Sequence, residues 1–255
     1  MAENFQKELR VACEAVRGAS ALCRAVQAGI TTEALEKKDR SPVTVADFGS
    51  QALVCRTLAA AFPDDPVIAE ETSKDLREEG DERIMSALVD RLDAALPDQQ
   101  VDEDIACGWI DHGNAAEYHD RFWTLDPIDG TKGFLRGEQY AISLALIVDG
   151  ELTVAALACP NLPAEPGSDS AGGSVFAAVR GRGATVTPLD QPNAEPRPVT
   201  VSETVETVNA RFCESYESGH SSHDDAARIA ELLRITADPV RLDSQAKYAI
   251  VARGE

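Results

Sequence analysis

The segment WTLDPIDGTKGF, from Trp123 to Phe134, places two carboxylates at the end of an apolar stretch. The apolar residues predict a buried strand, and Asp126 and Asp129 lie where that strand ends. Asp, Pro and Gly are common in turns for backbone reasons alone, so DPIDG is compatible with an ordinary turn. Uncompensated charges at a partly buried strand end are costly, however, unless a cation or a donor pairs with them. The segment therefore indicates either a turn or a cation site.

Two further acidic sites have a similar placement. Glu70 and Glu71 end the short apolar run VIAEE, and Asp47, in TVAD, is predicted to open a helix. Taken singly, the glutamates would be solvated and Asp47 would be an N-cap. Together with the two aspartates of DPIDG they predict an all-oxygen Mg²⁺ site, because Mg²⁺ prefers carboxylates, carbonyls and water. The turn can supply both carboxylates and the Ile128 carbonyl.

The GTKG sequence that follows the acids adds a phosphate-binding feature. The backbone amides at Gly130 and Thr131 could receive a phosphate, and the Thr131 hydroxyl could orient a water molecule. Carboxylates, metal ions, water and phosphate together favour phosphoester hydrolysis. Phosphatases with an aspartyl nucleophile use a DxDGT pattern with one residue between the acids. Here Pro127 and Ile128 both intervene, which disfavours that alternative.

Composition narrows the class of protein. The 255 residues carry a net charge of −20 and a pI near 4.5, which disfavours non-specific binding to nucleic acid or anionic membranes. Six cysteines without a CxxC pair favour reduced thiols. The first residues resemble neither a signal nor a transit peptide, and no apolar run reaches the roughly 18 residues of a membrane span. We therefore expect a soluble, cytoplasmic protein with a small-molecule substrate.

Apolar periodicity predicts the secondary structure. Residues from about 4 to 28 read as one helix, SPVTVADFGSQALVCRTLAAAF as a turn entering a second helix that ends at Pro63, and 84–95 as a third. Asp149-Gly150 and the Gly181–Gly183 segment predict two β-hairpins. After these come a strand in ARFCESYE, a helix in HDDAARIAELLR, and a strand and a helix in PVRLDSQAKYAIVARGE.

This order of elements predicts two domains. An α+β domain of residues 1–204 would layer helices on an antiparallel sheet and carry the metal site. Residues 205–255 would begin a smaller α/β domain, with the substrate in the cleft between the two.

Three segments together resemble a known family. DPIDGTKGF, AEETS and SPVTVADFGSQ are similar to the lithium-sensitive, Mg²⁺-dependent inositol monophosphatase superfamily. Within it, WTLDPIDGTKGFLRGEQYAISLALI, SGHSSHDD and LDSQAKY resemble the 3′(2′),5′-bisphosphate nucleotidase branch, and the likeness runs over essentially the whole chain. The implied fold is an inositol monophosphatase-like layered sandwich.

The resemblance implies roles for the acidic residues. Asp47 and Thr131 would activate the attacking water, with Thr131 oriented by Asp47. Two or three Mg²⁺ ions would be bound by the remaining site residues. These implied metal ligands are Glu70, Asp126, the carbonyl of Ile128, and Asp129.

The resemblance also implies a substrate, adenosine 3′,5′-bisphosphate, hydrolysed to AMP and phosphate. The sulfated nucleotide of sulfate activation is a second implied substrate. Gly130 and Thr131 would contact the phosphate, and His220, Ser244 and Lys247 the nucleotide. Other interpretations stay open: His220 and the nearby His223 are also compatible with a plain surface, and His-x-x-His is a weak zinc signal.

Two departures from the family pattern affect the expected activity. Ala69 stands where many relatives have glycine, a mild change. Relatives also continue past DSQAKY through a Trp-Asp-x-Ala-Ala-Gly segment whose aspartate completes the metal site, and these 255 residues hold no such segment. We therefore expect a truncated chain. The alternatives to the nucleotidase are an inositol polyphosphate 1-phosphatase, disfavoured by GHSSHDD and LDSQAKY, and a catalytically silent metal- or nucleotide-binding protein.

Overall fold

Two long helices cover one face of the main sheet. The computed structural model describes residues 4–30, 41–78, 82–168, 172–216 and 222–255. Helix α1 (Gln6–Gln27) buries its apolar residues at intervals of three and four, which lays one stripe against the sheet. Helix α2 (Ser41–Ala61) is buried on most sides because, within the described residues, it packs against α1, three further helices and the sheet.

Within the described residues, the main sheet has seven strands, arranged in the order in which they occur along the chain. Neighbouring strands are antiparallel, with one exception: the short first strand pairs parallel to the second. The prediction of an antiparallel sheet is therefore confirmed except at this edge. The strands are β1 (Val67–Ile68), β2 (Arg121–Asp129), β3 (Ala141–Val148), β4 (Glu151–Cys159), β5 (Ser174–Val179), β6 (Ala184–Pro188) and β7 (Arg197–Val199).

In the part of the chain that the structure describes, four shorter helices connect the strands of the main sheet. One of them confirms the predicted helix at 84–95, whereas the other three were not predicted because each is too short to show apolar periodicity. They are α3 (Ser73–Glu78), α4 (Glu82–Ala95), α5 (Glu103–Asp111) and α6 (Thr131–Arg136), and a single 3₁₀ turn spans Thr207–Asn209.

The last part of the chain forms a second, parallel sheet. Strands β8 (Cys213–Ser215) and β9 (Val240–Leu242) pair side by side, with helix α7 (His223–Leu233) between them in sequence. Helix α8 (Ala246–Ala252) follows β9 and buries its apolar side in one cluster with residues of β3, β4 and β5. The predicted α/β character of this part is confirmed. The proposed domain boundary at 204/205 stays a prediction.

The structure corrects one local prediction and confirms both predicted hairpins, which are formed by β3 with β4 and by β5 with β6. Asp47 does not open a helix: α2 begins at Ser41, and Asp47 lies in its second turn. Pro42 is tolerated there because the first turn of a helix does not need its missing N–H. Asp149 and Gly150 both have positive φ angles, 52° and 76°, as the predicted hairpin turn requires. Among the described residues, no helix is both long and apolar enough to cross a membrane.

Candidate active site

The carboxylate turn at the end of β2 is supported by α2. The pairing of β2 with β3 shifts register between Asp126 and Asp129, so the two acids do not continue the regular ladder. The buried Ser50 hydroxyl donates a hydrogen bond of 2.8 Å to the Pro127 carbonyl. This contact fixes the turn against the helix that also carries Asp47.

The same helix supports the two glutamates at the end of β1. The fully buried Gln51 side chain accepts a hydrogen bond from the Glu71 amide at 2.9 Å and donates to the Glu71 carbonyl at 2.5 Å. It also donates to the Ile110 carbonyl at 3.0 Å. One side chain thus joins α2, the segment after β1 and the end of α5, and it holds the Glu70–Glu71 backbone in place.

These supported segments meet at one cavity of about 590 Å³, within the range typical of ligand sites. Among the described residues, six carboxylates and two lysines line it, so the cavity is strongly negative. The acids come from α2, the segment after β1, the end of β2 and the segment after β9, which are distant in sequence. The charged lining residues are Asp47, Glu70, Glu71, Asp126, Asp129, Asp243, Lys132 and Lys247.

Burial and mutual repulsion raise the pKa of two of these acids. Burial raises the pKa of Asp47 to about 9, with further contributions from the charges of Glu71, Glu70 and Asp126. Burial also raises the pKa of Asp126 to about 7, helped by the neighbouring Asp129 and Glu70. Such shifts mark the cavity as a place where a positive charge is favourable.

The donor atoms present fit a divalent cation. Asp126 Oδ1 is buried and has no hydrogen-bond partner among the described residues, and the repelling carboxylates around it would be relieved by a cation. Within the described ranges, no three acid, imidazole or thiol groups already stand close enough to hold one ion. Mg²⁺ retains several water ligands, so one or two carboxylates and a carbonyl suffice for it.

The start of α6 brings the second sheet close to the acids. Gly130 has a φ of 89°, which favours glycine, and a Cβ there would lie 2.7 Å from the Ser244 Cβ. The Gln245 amide donates a hydrogen bond to Asp129 Oδ2. These close contacts place the segment after β9 directly at the carboxylate turn.

The structure brings together all but one of the residues singled out from the sequence. Asp47, Glu70, Asp126, Ile128 and Asp129 all line the cavity. The other lining residues among them are Gly130, Thr131, Ser244 and Lys247. His220 lies outside the described residues.

Contacts at two of these positions add detail. Asp47 and Thr131 line the same cavity, and the predicted orientation of Thr131 by Asp47 stays a prediction. His223 lies at the start of α7, where its Nε2 is 2.9 Å from the Ser215 carbonyl oxygen.

Sequence reasoning missed several residues of the cavity wall. Glu71 was named in the sequence analysis without being given a role. Asp243 and Gln245 were included only as part of the LDSQAKY motif, from which roles were assigned to Ser244 and Lys247. A signal for Asp243 existed in its position at the end of a short strand, like that of Asp126. Ser215 and Tyr248 carry no pattern that would have placed them there.

Comparison with known proteins decides the family. The model of the inositol monophosphatase family matches residues 4–255. The chain belongs to this family. Members of this family are metal-dependent phosphatases. The chain is therefore a phosphoric monoester hydrolase.

Curated relatives of this chain carry a more specific name than that of the family. A 3′(2′),5′-bisphosphate nucleotidase of Schizosaccharomyces pombe is 41% identical over 99% of this chain and 75% of its own length. One from Emericella nidulans is 38% identical over 98% of this chain and 78% of its own. The resemblance found in the sequence is therefore confirmed.

Solved structures support the fold alone, since their identity is low. Mycobacterium tuberculosis SuhB superposes with a TM-score of 0.60 at 23% identity, over 99% of this chain and 76% of that one. An inositol monophosphatase from Anabaena gives 0.58 at 21% identity, over 99% and 73%. The predicted layered sandwich of helices and sheets is confirmed.

Proposed function

We propose that this chain is a Mg²⁺-dependent phosphatase that hydrolyses the 3′-phosphate of adenosine 3′,5′-bisphosphate to give AMP and phosphate. The sulfated analogue, 3′-phosphoadenylyl sulfate, would be hydrolysed to adenylyl sulfate in the same way. The observation that carries the proposal is the cavity, where carboxylates from four segments face Ser244 and Lys247. The names of the curated relatives support the choice of nucleotide.

The acidic side of the cavity would hold two or three Mg²⁺ ions. Glu70, Asp126, Asp129 and the Ile128 carbonyl are the proposed ligands. Bound Mg²⁺ would neutralise the carboxylates, polarise the phosphate and make a water molecule more acidic. The buried Asp126 Oδ1, which has no hydrogen-bond partner in the described part of the chain, supports this assignment.

The residues beside the acids would direct the attack. Asp47 would accept the proton of the attacking water, Thr131 would orient that water, and Gly130 and Thr131 would contact the phosphate that is transferred. Water attacks phosphorus, the bond to the 3′ oxygen breaks, and the leaving oxygen takes up a proton. Positioning of this kind is a large part of catalysis when a water and a phosphate ester must align.

The part of the cavity formed by the segment after β9 would hold the rest of the nucleotide. Lys247 offers a point charge to a second phosphate, and Ser244 offers a hydroxyl. Both follow β9, whereas five of the six lining acids belong to the first sheet, the segments at its strand ends and α2. A substrate with two phosphates would therefore bridge the two sheets, and this supports a bisphosphate over a monophosphate.

Phosphate release tests the proposal. The 255-residue chain is incubated with adenosine 3′,5′-bisphosphate in Mg²⁺ or in EDTA, and inositol 1,4-bisphosphate serves as the competing substrate. We expect Mg²⁺-dependent release that is faster for the nucleotide. Equal or faster release from the inositol phosphate would favour the inositol polyphosphate 1-phosphatase. Tight nucleotide binding with no release from either substrate would favour the silent binding protein.

A further inference from the structure

The guanidinium of Arg136, at the end of α6, touches the ends of both strands of the second sheet. Its Nη2 donates to Asp243 Oδ2, directly after β9. Its Nε donates to Glu138 Oε2 at 2.6 Å, and its Cζ lies 5.1 Å from the centre of the Tyr216 ring, directly after β8. A planar guanidinium can make such in-plane and stacked contacts at once, whereas an ammonium cannot.

The acid that Arg136 meets is buried. The Asp243 side chain is only 8% exposed, and a carboxylate removed from water requires a charged or hydrogen-bonding partner. Asp243 also lines the cavity of the proposed active site. Arg136 therefore satisfies a carboxylate that would otherwise add another unpaired negative charge to the site.

The neighbouring backbone is built to fit against α6. A Cβ at Gly133 would lie 2.9 Å from Asp243 Oδ2 and 2.1 Å from the Gln139 carbonyl oxygen, so only glycine permits this approach. Ser244 has a φ of 67°, a left-handed conformation that is uncommon outside glycine. Such a conformation persists where surrounding contacts hold it in place.

We propose that Arg136 is a positioning residue that holds the segment of residues 243–247, here called the docking segment, against α6. Through Asp243 it sets the place of Ser244 and Lys247 beside the carboxylate turn. The role of those two residues as nucleotide contacts rests on the proposed function, whereas the placement of the docking segment rests on geometry alone. Arg136 would touch neither the reacting phosphate nor the metal ions.

Hydrogen exchange tests the placement without any substrate. In Arg136→Ala we expect faster deuterium uptake by peptides covering 242–248, because the hydrogen bond from the Gln245 amide to Asp129 would open more often. Arg180→Ala is the matched control, since Arg180 forms an ion pair with Glu151 on an exposed hairpin. The control should leave this uptake unchanged.

A second variant guards against a general loss of folding. Arg136→Lys keeps a positive charge for Asp243 but cannot contact Glu138 and Asp243 in one plane, so its uptake at 242–248 should lie between wild type and Arg136→Ala. Unchanged uptake in Arg136→Ala would overturn the proposal. The proposal would also be overturned if, in Arg136→Ala and Arg136→Lys, deuterium uptake rose as much in α1 and α2 as at residues 242–248. Arg136 would then act only on global stability.

Binding of AMP in the presence of Mg²⁺ tests the consequence for the site. By calorimetry we expect the dissociation constant to rise about tenfold in Arg136→Ala and to stay unchanged in Arg180→Ala, with Mg²⁺ affinity unaffected in both. Unchanged AMP affinity in Arg136→Ala would contradict the positioning of Ser244 and Lys247. If wild type binds no AMP but 242–248 still exchanges faster in Arg136→Ala, the placement holds and the nucleotide assignment fails.

Discussion

At the scale of single residues, the carboxylate Asp126 combines three properties of a metal ligand. It lies at a break in strand pairing, one of its oxygens is buried with no hydrogen-bond partner among the described residues, and its pKa is raised to about 7 by burial and by acidic neighbours. A group of this kind destabilises the metal-free protein and is useful only when a cation is present. The Asp126 carboxylate should therefore increase the Mg²⁺-dependent activity and decrease the stability of the metal-free protein.

The variant Asp126→Asn separates these contributions. We expect Mg²⁺-dependent phosphate release to fall by at least about 100-fold, since a proposed ligand is lost. In EDTA, the melting temperature should stay equal or rise, because one source of repulsion is removed. A lower melting temperature in EDTA would contradict this account of Asp126.

The raised pKa values of Asp47 and Asp126 also predict how stability depends on pH. Both side chains have an ordinary value of 3.8, and in the folded protein they reach about 9 and about 7. Above pH ~4 the unfolded chain has released these protons while the folded chain retains them, so the free energy of unfolding falls as pH rises. The fall should continue through pH ~7 and level off above pH ~9.

Urea unfolding in EDTA at several pH values measures this dependence. The Asp126→Asn variant is the control, and its curve should be flatter between about pH 5 and pH 8. Stability that rises over this range in the wild type would show that the two acids are not protonated in the metal-free fold.

At the scale of secondary-structure elements, α2 links the acidic segments. It carries Asp47, and one turn later Ser50 binds the turn at the end of β2 and Gln51 binds the segment after β1. Because consecutive turns of a helix are rigidly related, these contacts set the distances among three acidic segments. The precision of the site therefore depends on buried polar residues that need not touch the substrate.

Gln51→Leu should destabilise the protein by about 1–3 kcal/mol, because the Glu71 amide and two carbonyls would lose a buried partner. Urea unfolding measures the change. Gln100→Leu, at an exposed position, is the control and should have little effect. Equal stability of Gln51→Leu and wild type would show that water replaces these hydrogen bonds.

Helix α6 makes a second prediction at this scale. Gly133→Ala should be destabilising by about 1–3 kcal/mol, since the new methyl group would collide with the Gln139 carbonyl and the docking segment. The matched control is Gly108→Ala in α5, where a Cβ meets nothing within 4 Å. That control should stabilise by about 0.5–1 kcal/mol through helix propensity. Similar effects of the two substitutions would contradict the close packing at Gly133.

At the scale of the whole molecule, the net charge of −20 and the acidic cavity act together. Mg²⁺ bound to the folded state alone should stabilise it by about 2.7 kcal/mol at a concentration 100 times its dissociation constant. NaCl at matched ionic strength only screens the charges and should raise the melting temperature less. An equal rise with either salt would argue against a specific cation site.

How well the sequence predicts the structure differs between elements. The Asp149-Gly150 hairpin and α1 were predictable because local turn chemistry and apolar periodicity act over a few residues. The helical position of Asp47 was not, because Ser41 and Pro42 are compatible with both a turn and a first helical turn. Helix α6 was missed since its six residues depend on contacts with the docking segment rather than on their own pattern.

The sequence by itself determined the kinds of groups in the site and the family to which the chain belongs. Carboxylates at strand ends, the GTKG segment and LDSQAKY are local features, and each can be read without knowing its neighbours in space. Only the tertiary structure decided which acids share one cavity, that Gln51 and Ser50 hold two of the acidic segments, and that Arg136 joins α6 to the second sheet. The physical reason is that these contacts connect residues up to 107 positions apart, where burial and close packing select the partner.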